Sequence, residues 1–234
     1  MRQLSLAFDL PLHPRDIAGF RGALAGAAGF DADLFHNHDN EHNRLHYRYP
    51  LIQYRSERDH AALIGLDAGA DAILEWYANS NGTVAYNGER HLLAFRKLDV
   101  AEYEMSLRDT PKIYRLYQWL PLNQHRYAEW QDLAGLGDRI AELERLLSAH
   151  ILTFCRAVDW RLPRRFDLRI RDLGRSYTTG FLGVRHQAFD LEFSCDLLLP
   201  PGIGLGKGVS HGFGVLREPA AWKPAAGSSD KRGA

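Results

Sequence analysis

Four of the chain's 11 histidines lie in one short polar segment between Leu34 and Tyr49. His36 and His38 stand two positions apart, so an extended chain from Phe35 to His38 would place both imidazoles on the same side, about 6–7 Å apart. Imidazole is the side chain best suited to exchanging protons near neutral pH. Two imidazoles on one face could therefore flank a phosphodiester, one accepting a proton and the other donating one.

Two other interpretations of this segment are open. Asparagine, aspartate and glutamate dominate around the histidines, as they do in a solvated surface loop. Asp39, Glu41 and His42 would also supply ligands for zinc or manganese, although their spacing defines no coordination geometry. The residue types alone therefore leave acid–base catalysis, metal binding and a plain polar loop as alternatives.

A second segment, from Gly202 to Gly214, is built largely from glycine. Six of its thirteen residues are glycine, and apolar residues, one lysine, one serine and one histidine lie between them. Glycine allows positive φ angles and the close approach of another backbone. We expect a loop that turns N–H groups outward toward a phosphate, with Lys207 adding a positive charge. A hairpin that only reverses the chain is the alternative.

The composition is typical of a soluble globular protein, with 45% hydrophobic and 25% charged residues in a chain of 234. No apolar run approaches the roughly 20 residues that span a bilayer, and the N-terminus does not resemble a signal peptide. Cys155 and Cys195 lie in apolar patterns and are predicted to be buried thiols in a reducing compartment. These features predict a cytoplasmic protein.

The net charge of zero conceals an uneven distribution. Residues 1–110 carry 11 basic and 16 acidic side chains, whereas residues 111–234 carry 18 basic and 13 acidic ones. Seven arginines fall between Arg161 and Arg185. This asymmetry predicts a basic surface on the second half that would attract nucleic acid, with an ordinary solvated arginine-rich face as the alternative.

Apolar periodicity in residues 1–110 predicts strand, helix, strand, strand, helix, strand, which is the ferredoxin-like order. The helices are expected at residues 16–28 and 68–79, and the second should turn Ile73, Leu74 and Tyr77 inward. Strand residues are expected across 92–107, with Tyr103 and Met105 in the alternation. The predicted class is α+β, with this first domain carrying the histidine segment.

Residues 111–218 repeat that order only in part and form a second, degenerate ferredoxin-like domain that ends with the glycine-rich loop. Its clearest helix spans residues 138–158, with Asp138 as the N-cap. A strand near residue 168 would place Arg165, Arg169 and Arg171 on one face. Residues 219–234 are predicted to be a disordered tail.

The glycine segment resembles the signature loop of the CRISPR-associated repeat endoribonucleases of the "Cas-six" type, in the RAMP superfamily. That loop reads glycine-hydrophobic-glycine, five residues including a base, and glycine-hydrophobic-glycine. Here the two triplets are Gly204-Leu205-Gly206 and Gly212-Phe213-Gly214. The histidine segment and the following residues 49–54 look like the b-type subgroup, in which paired histidines and a nearby tyrosine are associated with cleavage.

The resemblance implies two tandem ferredoxin-like (RRM/RAMP-type) units and a metal-independent endoribonuclease without a cofactor. Such an enzyme cuts the CRISPR precursor transcript within each repeat to generate guide RNAs. The 2′-hydroxyl attacks the adjacent phosphate and leaves a 2′,3′-cyclic phosphate and a 5′-hydroxyl. The partners implied are repeat RNA, subunits of a CRISPR effector complex and a second copy of the chain, but no membrane. The alternative is a non-catalytic RAMP subunit that binds guide RNA, which would need the loop but not the histidines.

The resemblance also implies roles for individual residues. His36 and His38 would exchange protons, with base and acid unassigned, and Tyr47 would position the phosphate, although Tyr49 is as near in sequence. The b-type pattern tends to place a lysine near the histidines, and this chain has none before His46, so an arginine would meet the phosphate charge. The residues expected to bind RNA are Arg44, Arg48, Arg165, Arg169, Arg171, Gly204, Gly206, Lys207, Gly208, Ser210, His211, Gly212 and Gly214.

Overall fold

The computed structural model describes residues 1–29, 32–36, 38–39, 44–45 and 48–219, with the backbone alone at 38–39 and 44–45. The helices in these residues are α1 (Ile17–Ala28), α2 (Asp33–His36), α3 (Ala68–Ser80), α4 (Gln124–Gln131) and α5 (Leu136–Ala157). The strands up to residue 102 are β1 (Arg2–Pro11), β2 (His38–Asp39), β3 (Arg44–Leu45), β4 (Ile52–Glu57), β5 (His60–Leu66), β6 (Thr83–Tyr86), β7 (Glu89–Leu92) and β8 (Phe95–Glu102). The later strands are β9 (Leu107–Trp119), β10 (Leu168–Phe181), β11 (Val184–Leu197) and β12 (Val215–Arg217).

The first half forms a four-stranded antiparallel sheet in the order β4-β5-β1-β8. The alternation of Leu4, Leu6 and Phe8 along β1 turns one face of this sheet toward α1 and α3, where these side chains share a core with Phe20 and Ile73. The α+β class and the ferredoxin-like order predicted for residues 1–110 are confirmed.

The second half forms a four-stranded antiparallel sheet in the order β10-β11-β9-β12. Helix α5 covers it and buries Leu143, Leu147, Ile151 and Phe154, which recur at helical spacing. Between β11 and β12, the described chain contains no α-helix but only the 3₁₀ turn Val209–His211. The second unit is therefore degenerate, as the sequence predicts.

Several local predictions were wrong for identifiable reasons. Leu74 was expected to face the core but is 40% exposed, and the nearby Trp76 is buried instead. Asp138 does not cap α5, because α5 already begins at Leu136 and Gly135 takes the N-cap position. The interval 103–106 is irregular rather than extended.

The two units share one apolar core. Tyr49, Ile64 and Leu66 of the first unit pack in the same cluster as Phe154 and Leu205 of the second. The predicted division of the chain at residue 110 falls inside β9 and stays a prediction, and the predicted disordered tail beyond residue 219 lies outside the described residues. Within the described part of the chain, no helix is long and apolar enough to cross a membrane.

Candidate functional site

The chain between β11 and β12 crosses over itself, and this crossing explains the glycines. The Leu205 N–H donates to the carbonyl of Gly214 at 2.8 Å. A Cβ on Gly214 would lie 1.9 Å from the Leu205 carbonyl oxygen, and a Cβ on Gly206 would lie 2.7 Å from the indole nitrogen of Trp119. Both glycines also have φ angles in the left-handed region. Glycine is required because backbone meets backbone at one point and a buried ring at the other.

Gly214→Ala is therefore expected to lower the free energy of unfolding by more than about 3 kcal/mol. The new methyl group would overlap the Leu205 carbonyl oxygen, which belongs to the backbone and cannot turn aside. Gly22→Ala in α1 is the matched control, because nothing lies within 4 Å of a Cβ there and alanine favours a helix by up to ~1 kcal/mol. Chemical denaturation measures both variants, and a Gly214→Ala protein as stable as the parent would contradict this crossing.

The N–H groups of this loop are mostly directed inward. Eight of the thirteen between Gly202 and Gly214 donate to acceptors within the protein. The Gly204 N–H donates to Oε1 of Gln53 at 2.9 Å, and the Lys207 N–H donates to the carbonyl of Leu120 at 3.2 Å. The expectation of an outward-facing N–H cradle is therefore wrong at most positions of the loop. The side chain of Lys207 is exposed, so its charge faces solvent.

A buried polar network from β4 holds the glycine loop in place. The Arg55 guanidinium donates to the carbonyls of Val209 at 2.7 Å and Tyr54 at 3.0 Å, and to Oε1 of Gln53 at 2.5 Å. Desolvation lowers the pKa of Arg55 to about 10, so the side chain stays charged at neutral pH. Buried polar groups of this kind stabilise a structure only when they are hydrogen-bonded, and here the loop carbonyl of Val209 supplies one of the acceptors.

Tyr49 belongs to the same network. Its hydroxyl donates to the carbonyl of Gly204 at 2.8 Å and accepts from Nε2 of Gln53 at 2.9 Å. Burial raises the pKa of this hydroxyl above its ordinary value. The structure therefore gives Tyr49 a buried, loop-holding position. Tyr47, the residue that the sequence favours for positioning a phosphate, lies outside the described residues.

The histidine segment begins with one turn of helix rather than with a strand. His36 is the last residue of α2, and His38 opens β2, so the extended run from Phe35 to His38 that the sequence suggested is wrong. Nε2 of His36 lies 3.1 Å from the carbonyl of Gly29, and the backbone carbonyl of His36 accepts from Arg21 at 2.6 Å. The imidazole of His36 is half-buried, and the side chain of His38 lies outside the described residues.

Arg21 connects this segment to the glycine loop. Besides donating to the His36 carbonyl, its guanidinium lies 6.0 Å from the ring centroid of Tyr54, whose hydroxyl donates to the carbonyl of Phe35 at 3.2 Å. Its charge also acts on His211 of the loop. Burial, aided by the positive charge of Arg21, lowers the pKa of His211 to about 4. Sequence reasoning missed Arg21, which is the cation that the structure places between the two predicted segments.

His211 lies on the 3₁₀ turn Val209–His211 of the loop. Its Nδ1 is 3.1 Å from Oγ of Ser210, and its ring meets the ring of Phe181 edge-on with centroids 5.2 Å apart. With its lowered pKa, this imidazole is uncharged at neutral pH. It can therefore offer a hydrogen bond to a ligand, but not a positive charge.

A groove with a cavity volume of about 640 Å³ is lined by residues of both units. Ile17 and Gly212 line it where the loop turn meets α1, and Arg21 lies one helical turn beyond Ile17 without lining the groove itself. The charged side chains along its walls are mixed in sign and comprise Arg55, Arg58, Lys97, Arg175, Arg217, Glu57, Asp99, Asp190 and Glu218. Arg175 pairs with Asp190 at 3.0 Å, so part of this charge is internally compensated.

The arginines that the sequence predicts on one face of β10 lie away from the groove. Arg165, Arg169 and Arg171 are exposed but do not line the groove, and Arg169 pairs with Glu144 of α5 at 3.1 Å. Arg175, farther along the same strand, is the arginine of β10 that reaches the groove. The assignment of the first three to RNA binding stays a prediction.

Two further arginines were predicted to bind RNA, and the structure describes the side chain of only one of them. Arg48 is exposed and precedes β4, and the side chain of Arg44 lies outside the described residues. In the described ranges, no group of three or more histidine, cysteine or acidic side chains could hold a metal ion. Of the residues that carry the metal alternative, Glu41, His42 and the side chains of His38 and Asp39 lie outside the described residues.

The fold defines the class of protein, because the two sheets match the ferredoxin-like folds of Cas6 and RAMP proteins. A family model described as the Cas6b N-terminal domain matches residues 1–104, and one described as the Cas6b C-terminal domain matches residues 106–219. The chain belongs to the Cas6b family.

Two solved structures show how closely the fold agrees. A Cas6b crystal structure is 20% identical, with coverage of 94% of this chain and 100% of that chain and a TM-score of 0.78. A CRISPR RNA processing endoribonuclease Cas6b is 19% identical with the same coverage and a TM-score of 0.68. An uncharacterized protein of Methanocaldococcus jannaschii is 26% identical over 98 residues, which span 42% of this chain and 65% of that relative.

Proposed function

We propose that this chain is a metal-independent endoribonuclease that cleaves CRISPR repeat RNA in the precursor transcript and so generates guide RNAs. Membership of the Cas6b family supports a role in CRISPR RNA processing. The observation that carries the proposal is the position of Arg21, whose guanidinium binds the His36 carbonyl and acts on His211 of the glycine loop. One imidazole and one cation are thus linked to the loop turn, whose Gly212 lines the groove together with Ile17 of α1.

RNA supplies its own nucleophile in this reaction. One imidazole accepts the proton of the 2′-hydroxyl as the bond from the 2′-oxygen to phosphorus forms. The other imidazole donates a proton to the 5′-oxygen as its bond to phosphorus breaks. The products are a 2′,3′-cyclic phosphate and a 5′-hydroxyl, so atoms and protons balance without water or a cofactor. Each such acid or base typically accelerates a reaction by about 10²–10⁴-fold.

The contact between His36 and Gly29 suggests which imidazole is the base. A ring nitrogen that faces a carbonyl oxygen must carry hydrogen, so Nε2 of His36 is the donor and Nδ1 is the acceptor of the neutral ring. His36 is therefore assigned to accept the 2′-hydroxyl proton. His38 then acts as the acid, and Tyr47 positions the phosphate between them.

Cations close to the reacting phosphate complete the proposed site. Arg21 would stabilise the charge that develops on the phosphate oxygens, a contribution that preorganised donors make without reorganising. Lys207 on the exposed side of the loop would hold a neighbouring phosphate, and the RNA strand would continue along the groove past Arg217 and Arg175. Arg44 and Arg48 would contact the strand on the histidine side.

A cleavage assay with excess EDTA tests this proposal directly. Repeat RNA is expected to be cut at one position in EDTA, and the upstream product should end in a 2′,3′-cyclic phosphate. The matched substrate carries a single 2′-deoxynucleotide at the cut site and is expected to stay intact, because its nucleophile is missing. Cleavage of the deoxy substrate would contradict the mechanism, and loss of cleavage in EDTA would favour a metal-dependent hydrolase. Tight binding without any cleavage would favour a non-catalytic RAMP subunit.

A further inference from the structure

Strand β9 is irregular beside the glycine loop. Its ladder with β11 is out of step between Leu116 and Trp119, where Tyr117 and Gln118 stand opposite Asp190 alone. Gln118 has a φ angle of 52°, which lies in the left-handed region that glycine adopts most readily. This β-bulge therefore holds glutamine at a position where glycine would fit with less strain.

A second bulge lies on the other side of Asp190. In the ladder of β10 with β11, Leu173 and Gly174 stand opposite Leu191 alone. Gly174 has a φ angle of 51°, and a Cβ on it would lie 2.4 Å from the carbonyl oxygen of Asp190. Bulges re-aim side chains and are frequent beside functional sites, and here they occur on both strands that flank one aspartate.

The carboxylate of Asp190 organises the side chains around it. It accepts from the N–H of Gln118 at 2.8 Å, from Arg175 at 3.0 Å and from the hydroxyl of Tyr177 at 3.3 Å. Burial and the charge of Asp190 raise the pKa of this hydroxyl, and a contact with the Gln118 side chain acts against that shift. These four residues, the bulge site, all line the groove.

The fold explains the backbone of Gln118 but not its side chain. The carbonyl accepts from the N–H of Gly214 at 3.1 Å where the glycine loop crosses, and the N–H is held by Asp190. Any residue except proline would form both bonds, and glycine would form them without left-handed strain. Strain that the surroundings impose in this way is concentrated at ligand sites. The Gln118 side chain is exposed in the groove, where a ligand can reach its amide.

The polar groups of the bulge site suit the edge of a nucleobase. A carboxamide carries a donor and an acceptor side by side, so it pairs with an amino group that lies beside an unprotonated ring nitrogen. The Asp190 carboxylate uses three of its roughly four acceptor positions, and the remaining one suits the second hydrogen of that amino group. On their Watson–Crick edges, adenine and cytosine present this combination, whereas uracil has no amino group.

Arg175 supplies a surface on which such a base can stack. Its guanidinium is fixed by Asp190 and lies 5.6 Å from the ring centroid of Tyr177, yet its side chain is 82% exposed. Guanidinium groups stack on the unpaired bases of RNA in protein complexes. Because a paired base has no free Watson–Crick edge, the RNA segment at this site must be unpaired.

We propose that the bulge site binds one unpaired adenine or cytosine of the RNA and that Gln118 reads its edge. The Gln118 amide donates to the ring nitrogen and accepts from the amino group, Asp190 accepts the second amino hydrogen, and Arg175 stacks on the ring. The inference rests on the proposed function in taking repeat RNA as the ligand. It depends neither on the histidines nor on cleavage.

Binding of uncleavable repeat RNA tests this recognition. Each adenine or cytosine of a 2′-deoxy repeat is replaced in turn by the same base without its amino group, and the parent is compared with Gln118→Gly. In the parent, one replacement is expected to raise the Kd about 5–150-fold, the range for one well-formed pair with a base, and its position distinguishes adenine from cytosine. In Gln118→Gly, the same replacement should change the Kd less than about twofold, because the reading side chain is already absent.

Asn87→Gly is the matched control for this variant. Asn87 also has a φ angle of 52°, but it is exposed at the turn between β6 and β7 and does not line the groove. Both glycine variants relieve left-handed strain, so neither should melt at a lower temperature than the parent. Only Gln118→Gly should lose the discrimination between the two forms of the base.

Two results would overturn this inference and leave the proposed function in place. One is a parent protein whose affinity no single replacement alters. The other is a replacement whose effect persists undiminished in Gln118→Gly, because another residue would then read the base. A parent that binds no repeat RNA would overturn the inference and the proposed function together.

Discussion

Replacing His38 with alanine is expected to slow the cleavage of repeat RNA by at least about 10²-fold while the affinity for that RNA stays close to the parent value. The imidazole is proposed to donate the proton that the departing 5′-oxygen needs, and alanine cannot replace it. Binding should survive because contacts to the phosphate backbone supply most of the affinity for nucleic acid. Single-turnover kinetics measure the rate, and equilibrium binding to the 2′-deoxy repeat measures the affinity.

His125→Ala is the matched control for this experiment. That histidine is exposed on α4 and pairs with Glu129 at 3.3 Å, away from the proposed site. Its loss should leave the cleavage rate unchanged. A His38→Ala enzyme that cuts as fast as the parent would remove His38 from the mechanism. If His38→Ala and His125→Ala slowed cleavage equally, the loss of rate would not be specific to His38.

The pH dependence of cleavage separates the proposed catalytic pair from His211. Because burial and the charge of Arg21 lower the pKa of His211 to about 4, this side chain is uncharged throughout the neutral range. Any change of rate near the ordinary histidine pKa of ~6.5 must therefore come from other groups. His211→Ala is expected to keep the shape of the pH profile, and loss of the acidic limb in that variant would assign the titration to His211 instead.

The sequence was sufficient to predict the order of the elements in the first unit because their apolar patterns are regular. Leu4, Leu6 and Phe8 alternate, and Phe20 and Leu24 recur at helical spacing. Helix α4 was missed because none of its residues is buried, which leaves no apolar stripe to detect. Helix α2 was missed because four residues are too few to show a period.

The candidate site was harder to predict because its parts meet through tertiary contacts. The glycine pattern located the loop correctly, but it could not show that Gly214 accommodates the Leu205 carbonyl rather than a phosphate. Arg21 carried one usable signal. It lies four residues after Ile17 and three before Leu24, on the edge of the buried face of α1, where a charged side chain needs a partner. That this partner is the carbonyl of His36 depends on the path of the intervening chain.

Arg21→Ala is expected to slow cleavage by about 10²–10³-fold, which is the loss typical of removing one preorganised donor from a developing negative charge. Two effects combine in this estimate. The guanidinium stabilises the phosphate in the transition state, and its bond to the His36 carbonyl holds the end of α2 in position. The measurement is again a single-turnover rate, together with the affinity for the 2′-deoxy repeat.

Two further variants distinguish a charge effect from a structural one. Arg21→Lys keeps the positive charge but not the fork that can bind a carbonyl and a phosphate together, so only part of the lost rate should return. Arg15→Ala, an exposed arginine in the 3₁₀ turn before α1, should cleave at the parent rate. A fall in stability equal to that of a core mutation, with the rate of the folded fraction unchanged, would make Arg21 a structural residue only. A reduced rate in a fully folded Arg21→Ala protein, partly restored in Arg21→Lys, would instead assign its charge to the reaction.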